Sequence, residues 1–136
     1  MSARRSLACA LAGVLLIAGC SNSQSSINRR PHSGTTTATV VDGVQHVTIE
    51  VGADDRFHPS TFVVHPGRVE VTLKHDDAGA PHTLAFKQGG FSLFVPTIDG
   101  GQTSTQSFIA PAPGKYPFVC TIHQKLGMTG TMVVEK

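Results

Sequence analysis

The residues with the clearest chemical potential lie near the C-terminus, in a short segment with the sequence C-T-I-H-Q-K-L-G-M. This segment offers a thiol at Cys120, an imidazole at His123 and a thioether at Met128. Upstream, His82 in the sequence A-P-H-T can supply a second imidazole. Two histidines and one cysteine in a plane, with a weak axial methionine, are the ligands of blue-copper electron-transfer sites. The residues therefore predict a site for one copper ion of type 1.

Cysteine usage supports a specific role for Cys120. The other two cysteines are Cys9, inside an apolar N-terminal segment, and Cys20, at its end. If Cys20 is modified, Cys120 has no disulfide partner, although an exported protein meets an oxidising compartment. An unpaired thiol is a liability there unless a metal or burial protects it. Taken singly, Cys120 could equally be a small buried hydrophobic residue.

The N-terminus has the pattern of an export signal. A pair of arginines precedes an apolar run from Leu7 to Ala18, which is too short for a membrane span and typical of a secretory signal. The run ends in I-A-G-C, which resembles the lipobox of bacterial lipoproteins and implies lipid attachment, such as palmitate, at Cys20. We expect a signal peptide at residues 1–19, with an ordinary signal peptide or an uncleaved anchor as the alternative. The resemblance implies an extracytoplasmic protein, lipid-anchored to the outer face or periplasmic side of the cell membrane.

Residues 20–45 are predicted to be a lipidated cysteine followed by a flexible tether. The segment is rich in Ser, Thr, Asn, Gly and Arg, with almost no large apolar residue before Val40. Such a composition cannot bury enough surface to fold. About 25 flexible residues have a reach of roughly 25–30 Å, which would let the domain meet partners near the membrane.

The charge balance gives no sign of a nucleic-acid partner. The chain has 11 basic and nine acidic residues, and loss of Arg4 and Arg5 with the signal leaves nine of each. There is also no basic run with interleaved aromatic residues. We therefore expect protein and membrane partners, no nucleic acid, and a monomer.

The folded domain is predicted to span residues 46–136. Apolar and polar residues alternate in H-V-T-I-E-V and R-V-E-V-T-L-K, which indicates half-buried strands. Further short strands are predicted in T-F-V-V-H, T-L-A-F, T-S-T-Q-S-F-I-A, K-Y-P-F-V-C and T-G-T-M-V-V-E, separated by Gly and Pro turns. About seven or eight strands without a convincing helix predict an all-β, antiparallel Greek-key β-sandwich. Cys120 then ends a strand, with the other ligands in the loops at one end of the sandwich.

Three motifs resemble those of cupredoxins, specifically the plastocyanin-like type. They are P-H-T at residues 81–83, P-G-K-Y-P-F-V-C at residues 113–120, and the C-x2-H-x4-M loop. The resemblance covers about residues 46–136 and implies a cupredoxin-like fold. It implies that His82, Cys120 and His123 form the copper plane. It also implies that Met128 is the weak axial ligand.

The sequence departs from the plastocyanin pattern at three positions. Thr83 stands where Asn usually follows the first ligand histidine, and its hydroxyl is expected to take over part of the tie between the two ligand loops. Ile122 stands where Pro is common, and Val119 where Tyr is often found. These changes bear on the reduction potential and the electron route rather than on the ligand set.

The resemblance implies one-electron transfer, with copper alternating between Cu(I) and Cu(II) and electrons leaving through His123 to a redox partner protein. A partner docking patch is expected around this histidine, formed by Ala80, Pro81, Ile122 and Leu126. The alternative is an extracytoplasmic copper-handling lipoprotein that stores copper, delivers it to a copper-acceptor protein or confers tolerance with the same ligands. An enzyme would need an open coordination position or more copper centres, so we expect no catalytic residues.

Other titratable residues are predicted to have ordinary structural roles. His58 and His65 precede prolines in turns, and His75 ends a strand, so surface or capping roles are expected for them. Asp54 and Asp55 are interpreted as turn residues that carry solvated charges.

Overall fold

The computed structural model of the chain describes residues 34–76, 78–87 and 89–136. The predicted signal peptide, Cys20 and most of the predicted tether lie outside these ranges. None of the helical structure in these ranges is long and apolar enough to span a membrane. The described residues form one 3-10 turn at Gln124–Leu126 and ten strands: β1 Thr35–Thr37, β2 Thr39–Val41, β3 Val44–Val51, β4 Thr61–Val64, β5 Arg68–His75, β6 His82–Phe86, β7 Leu93–Ile98, β8 Thr103–Ile109, β9 Gly114–Val119 and β10 Thr129–Val134.

The strands make two sheets that enclose one core. One sheet has six strands in the order β1-β4-β10-β9-β6-β7, and the other has four in the order β2-β3-β5-β8. The predicted all-β sandwich is confirmed, although three pairs are parallel: β1 with β4, β4 with β10, and β3 with β5. The last pair is parallel because β4 lies in the opposite sheet. The chain therefore crosses over and returns instead of turning back in a hairpin.

The ordered β-structure begins earlier than the composition indicates. Residues 35–37 and 39–41 form edge strands in the two sheets, whereas the flexible tether is predicted to continue to residue 45. β1 pairs with β4, and β2 pairs with β3, through backbone hydrogen bonds. The run T-T-T-A-T-V-V favours extended structure because β-branched side chains suit a pleated strand. Its side chains are mostly exposed, so a prediction that relies on buried apolar residues misses these strands.

An aromatic cluster forms the core behind the strand that leads to Cys120. The ring of Phe118 in β9 lies 5.0 Å from Phe57, 5.2 Å from Phe86 and 5.7 Å from Phe62, measured between ring centroids. All four rings are at most 1% exposed. Because residues two apart on a strand share a face, Cys120 points into the sandwich like Phe118. The sulfur is therefore held by a densely packed wall.

A glycine in β10 makes room for this aromatic ring. Gly130 is directly opposite Phe118, and a Cβ atom at residue 130 would lie 2.2 Å from Phe118 Cζ and 2.6 Å from the carbonyl oxygen of Ser60. Neither the packed ring nor the backbone can move away easily, so any side chain at residue 130 overpacks the core.

We therefore predict that Gly130→Ala lowers the free energy of unfolding by about 3 kcal/mol, as measured by urea denaturation. The matched control is Gly114→Ala in β9, where the nearest heavy atom to a new Cβ is 3.5 Å away, an ordinary contact. Its effect should stay below about 1 kcal/mol. Equal losses in both variants would contradict the steric explanation.

Candidate metal centre

Strand pairing brings the first two ligands together. His82 begins β6, and Cys120 directly follows β9. These strands are antiparallel neighbours, with Ala85 opposite Val119, so the start of one lies beside the end of the other. The sheet thus places His82 and Cys120 side by side although 37 residues separate them.

The loop from Cys120 to Met128 folds back onto its own beginning. The N–H of Cys120 donates to the carbonyl oxygen of Met128 at 3.1 Å, and the N–H of Met128 donates to that of His123 at 3.3 Å. The intervening 3-10 turn ends at Gly127, whose φ of +83° is a conformation that favours glycine. These bonds place Met128 next to Cys120, with its side chain fully buried.

The donor atoms of three ligand residues converge at one place. Nδ1 of His82 lies 3.2 Å from Nδ1 of His123, and Cys120 Sγ lies 3.9 Å and 3.7 Å from them, respectively. A point equidistant from the three atoms is about 2.1 Å from each, which suits the roughly 2.0–2.3 Å bonds that nitrogen and sulfur make to zinc. The spacing fits a transition-metal ion, and the two imidazoles, thiolate and neighbouring methionine favour copper.

The surroundings of Cys120 favour its thiolate form. Burial, the largest effect, raises the pKa of the thiol, but it is outweighed by hydrogen bonds from His82 and from the backbone N–H groups of Thr83, His123 and Ile122. Together these lower the pKa from 9.0 to about 6. The same contact acts on His82: burial lowers its pKa, but the bond to Cys120, the bond to Gly52 and the charges of Cys120 and Asp55 give a net raise. The site is thus prepared to hold a cation.

Thr83 ties the two ligand segments together, as the sequence predicts. Its hydroxyl oxygen accepts a 2.9 Å hydrogen bond from the N–H of Thr121 and lies 2.9 Å from the hydroxyl of Thr121. Its own N–H points at Cys120 Sγ at 3.5 Å. At 2% exposure, Thr83 makes these contacts away from water, where each is harder to replace.

The orientation of His82 is fixed from two sides. Its Nε2–H donates to the carbonyl oxygen of Gly52 at 2.9 Å, which leaves Nδ1 available as the ligand. On the other side the ring of His75 lies 5.0 Å away, measured between centroids. The ring nitrogens of His75 contact the carbonyl oxygens of Asp76 and Ala80, which bracket the loop before His82.

Of the surface or capping roles predicted for His75, the surface role is wrong, because this residue is only 2% exposed. The burial of His75 could have been predicted from its position on β5. Val69, Val71 and Leu73 alternate onto the buried face of that strand, and the same alternation places His75 there as well.

A third loop, between β3 and β4, completes the centre. Oδ1 of Asp55 lies 3.7 Å from Nδ1 of His123 and 3.9 Å from Nε2 of His82. Arg56 donates to the carbonyl oxygen of Leu126 at 3.2 Å, which attaches this loop to the ligand loop. The local sequence contains no signal for these contacts, since they join residues 27 to 70 positions apart. The interpretation of Asp55 as a solvated turn residue therefore missed its position.

The four residues of the predicted docking patch are exposed around the ligand loops. Ile122 is 49% exposed and Leu126 is 61% exposed, and Ala80 and Pro81 are also on the surface. The side chain of His123 is 12% exposed, so it lies between the buried ligands and the solvent.

We predict that the ultraviolet absorbance of the Cys120 thiolate in the metal-free protein titrates with a midpoint near pH 6, not near 9.0. Because folding lowers this pKa, its stabilising contribution is complete above the unfolded value and is lost as the pH falls from 9.0 to about 6. The Cys120→Ser variant gives the background from other thiols, and the urea-unfolded chain should titrate near the ordinary value. A folded-state midpoint near 9.0 would contradict this electrostatic account.

Comparisons with known proteins agree with this geometry. The family model for cupredoxin-like domains matches residues 9–134. The chain is 25% identical over 134 residues to a plastocyanin of Physcomitrium patens, covering 91% of this chain and 79% of the relative. Auracyanin A, a blue copper protein of Chloroflexus aurantiacus, superposes with a TM-score of 0.61 at 22% identity, covering 68% of this chain and all of that one. The metal-binding domain of the Cu(I)-exporting ATPase CopA of Streptococcus pneumoniae also has a TM-score of 0.61, at 17% identity, covering 76% of this chain and 97% of that domain. The chain therefore belongs to the cupredoxin family, and its cofactor is a copper ion at a type 1 site.

Proposed function

We propose that this protein is a one-electron carrier that works at an extracytoplasmic membrane surface. The observation that carries the proposal is the convergence of His82, Cys120 and His123, whose donor atoms lie 3.2–3.9 Å apart. Bound copper would supply one-electron chemistry between Cu(I) and Cu(II). A plastocyanin among the similar proteins supports this assignment.

The protein's own contribution is to keep the ligands in place. His82 is held by Gly52 and His75, Cys120 by Thr83 and the aromatic core. Such preorganisation limits how far the ligands move when the charge on the metal changes. Small movements keep the energy of reorganisation low, which suits rapid electron transfer.

The same burial favours retention of the metal. His82, Cys120 and Met128 are all 0% exposed, so a competing chelator has direct access to few ligand atoms. Slow release of the metal suits an electron carrier, which must hold its copper through many cycles. The likeness to the CopA domain concerns the fold and does not favour copper handling. The rate at which the protein releases copper distinguishes the two functions.

The surface and the N-terminal motif support the proposed location and partner. I-A-G-C at residues 17–20 supports a lipid at Cys20 and thus a position beside the membrane. The exposed apolar side chains of Ile122 and Leu126 flank His123 and suit short-lived contact with a redox protein. Contact at this patch would bring the edge of His123 close to the partner's redox centre.

The optical spectrum tests whether copper binds to the thiolate. Addition of Cu(II) to the full chain should produce an intense blue charge-transfer band, because Cys120 supplies a thiolate to the metal. The band should be absent in Cys120→Ser, in which only the sulfur is exchanged for oxygen. A colourless protein that binds Cu(I) alone and releases it readily to a competing chelator would instead favour copper handling.

Electron self-exchange tests whether the docking patch carries electron transfer. Leu126→Lys should slow electron self-exchange between two copies of the copper-loaded protein by about tenfold or more, since two like charges meet when the patches touch. The blue band should stay unchanged. Electron self-exchange can be measured by NMR line broadening in mixtures of the reduced and oxidised protein.

The matched control is Ile109→Lys, which adds the same charge at a residue of similar exposure. Ile109 is 66% exposed and pairs with Arg68 at the start of β5, whereas the metal centre adjoins the end of that strand. Self-exchange in this variant should remain close to that of the unchanged protein. Equal slowing in both variants would argue against the patch.

A further inference from the structure

One acidic side chain lies against the metal centre without being one of its ligands. Oδ1 of Asp55 is 3.7 Å from Nδ1 of His123, the nitrogen that faces the other ligand atoms. The donor atoms that all lie within 4.8 Å of one another belong to His82, Cys120 and His123, and this group excludes Asp55. Asp55 is therefore close enough to act on the metal by its charge, and too far from at least one ligand atom to complete the set.

The backbone holds Asp55 in an unfavourable conformation at this place. Its φ is +52°, a region in which aspartate is tolerated at a cost of about 1 kcal/mol or more. The turn is fixed by the N–H of Asp55, which donates to Gly52 at 3.2 Å, and by Arg56, which donates to the carbonyl oxygens of Asp55 and Leu126. The carbonyl of Gly52 also accepts the hydrogen bond from His82. The turn that positions Asp55 is thus attached to both ligand segments.

The charge of Asp55 is left to face the centre. Within the described part of the chain, the ion-pair partners within 4.0 Å of its carboxylate are the two ligand histidines. Arg56, the adjacent cation, makes its hydrogen bonds to backbone carbonyl oxygens. Asp54, by contrast, is bound to His58 at 2.7 Å.

We propose that Asp55 is a tuning residue of the copper centre, whose negative charge stabilises the oxidised metal relative to the reduced metal and so lowers the reduction potential. The proposal rests on the proposed function, since it assumes copper at this site. A thiolate and Cu(II) together carry one positive charge, whereas a thiolate and Cu(I) are neutral. A nearby carboxylate therefore attracts the oxidised centre more strongly.

The test compares the reduction potentials of copper-loaded Asp55→Asn and unchanged protein. Removal of the charge should weaken Cu(II) binding about tenfold more than Cu(I) binding, because the carboxylate is 30% exposed and partly screened. A tenfold change in this ratio raises the potential by about 59 mV for a one-electron couple. The blue band should persist, because the four ligands are unchanged.

Two further variants separate tuning from structural effects. Asp54→Asn removes the same charge from the neighbouring residue and should shift the potential by less than about half as much, since its carboxylate is directed to His58. Asp55→Gly also removes the charge, and glycine adopts a φ of +52° without strain, so this variant folds even if Asp55→Asn does not. It should reproduce the increase in potential.

The outcomes distinguish this inference from the function on which it rests. A blue, redox-active unchanged protein whose potential stays constant in both Asp55 variants overturns the tuning role and leaves electron transfer standing. Equal shifts of the potential in Asp54→Asn and Asp55→Asn also overturn it, because the potential would then depend on the net charge of the protein and not on the position of Asp55. Loss of the blue band in Asp55→Gly would instead make Asp55 a ligand or a structural support. Absence of a blue band from the unchanged protein would overturn the electron-transfer proposal itself.

Discussion

The antiparallel pairing of β6 with β9 is the constraint on which the metal centre depends. It places His82, the first residue of β6, beside Cys120, which directly follows β9. The rigid sheet therefore positions two of the ligands. The core stabilises this pairing from beneath through the ring of Phe118, for which Gly130 leaves space. A metal centre built in this way inherits the stability of the sandwich. The loop then has to supply only His123 and Met128.

The centre also requires polar groups to be buried. Two imidazoles and a thiol face one another with little water, an arrangement that is costly unless their charges and hydrogen bonds compensate. Mutual interaction provides part of this compensation, since the thiolate of Cys120 and a protonated His82 favour each other. Thr83 and Gly52 satisfy further donors and acceptors. The surrounding protein therefore supports the arrangement of these ligands.

The three loops around the centre have different tasks. The loop before His82 is contacted by the ring of His75 and orients the first ligand. The loop after Cys120 supplies His123 and Met128. The loop between β3 and β4 contributes no ligand and instead brings the carbonyl of Gly52 and the carboxylate of Asp55 to the ligand rings. Close approach of these loops needs Gly79, because a Cβ there would lie 2.7 Å from the backbone nitrogen of Ala53. Ligand identity and electrostatic environment are thus set by separate segments.

The sandwich class and the choice of ligands can be predicted from the amino-acid sequence alone. Alternation in β3 and β5 identified the buried faces, and the types and spacing of Cys120, His123 and Met128 specified the chemistry. These signals are local, since they depend on strand period and on residues within one loop. The edge strands at residues 35–41 escaped this reasoning because backbone pairing rather than burial holds them.

The surroundings of the ligands, by contrast, depend on how distant segments meet in the folded chain. The burial of His75 beside His82, and the approach of Asp55 to His123, come from segments that meet across the top of the sandwich. No periodicity records such meetings, because the distance between two loops depends on how the strands beneath them are ordered. The electrostatic field at the metal centre therefore appears only when the whole fold is assembled.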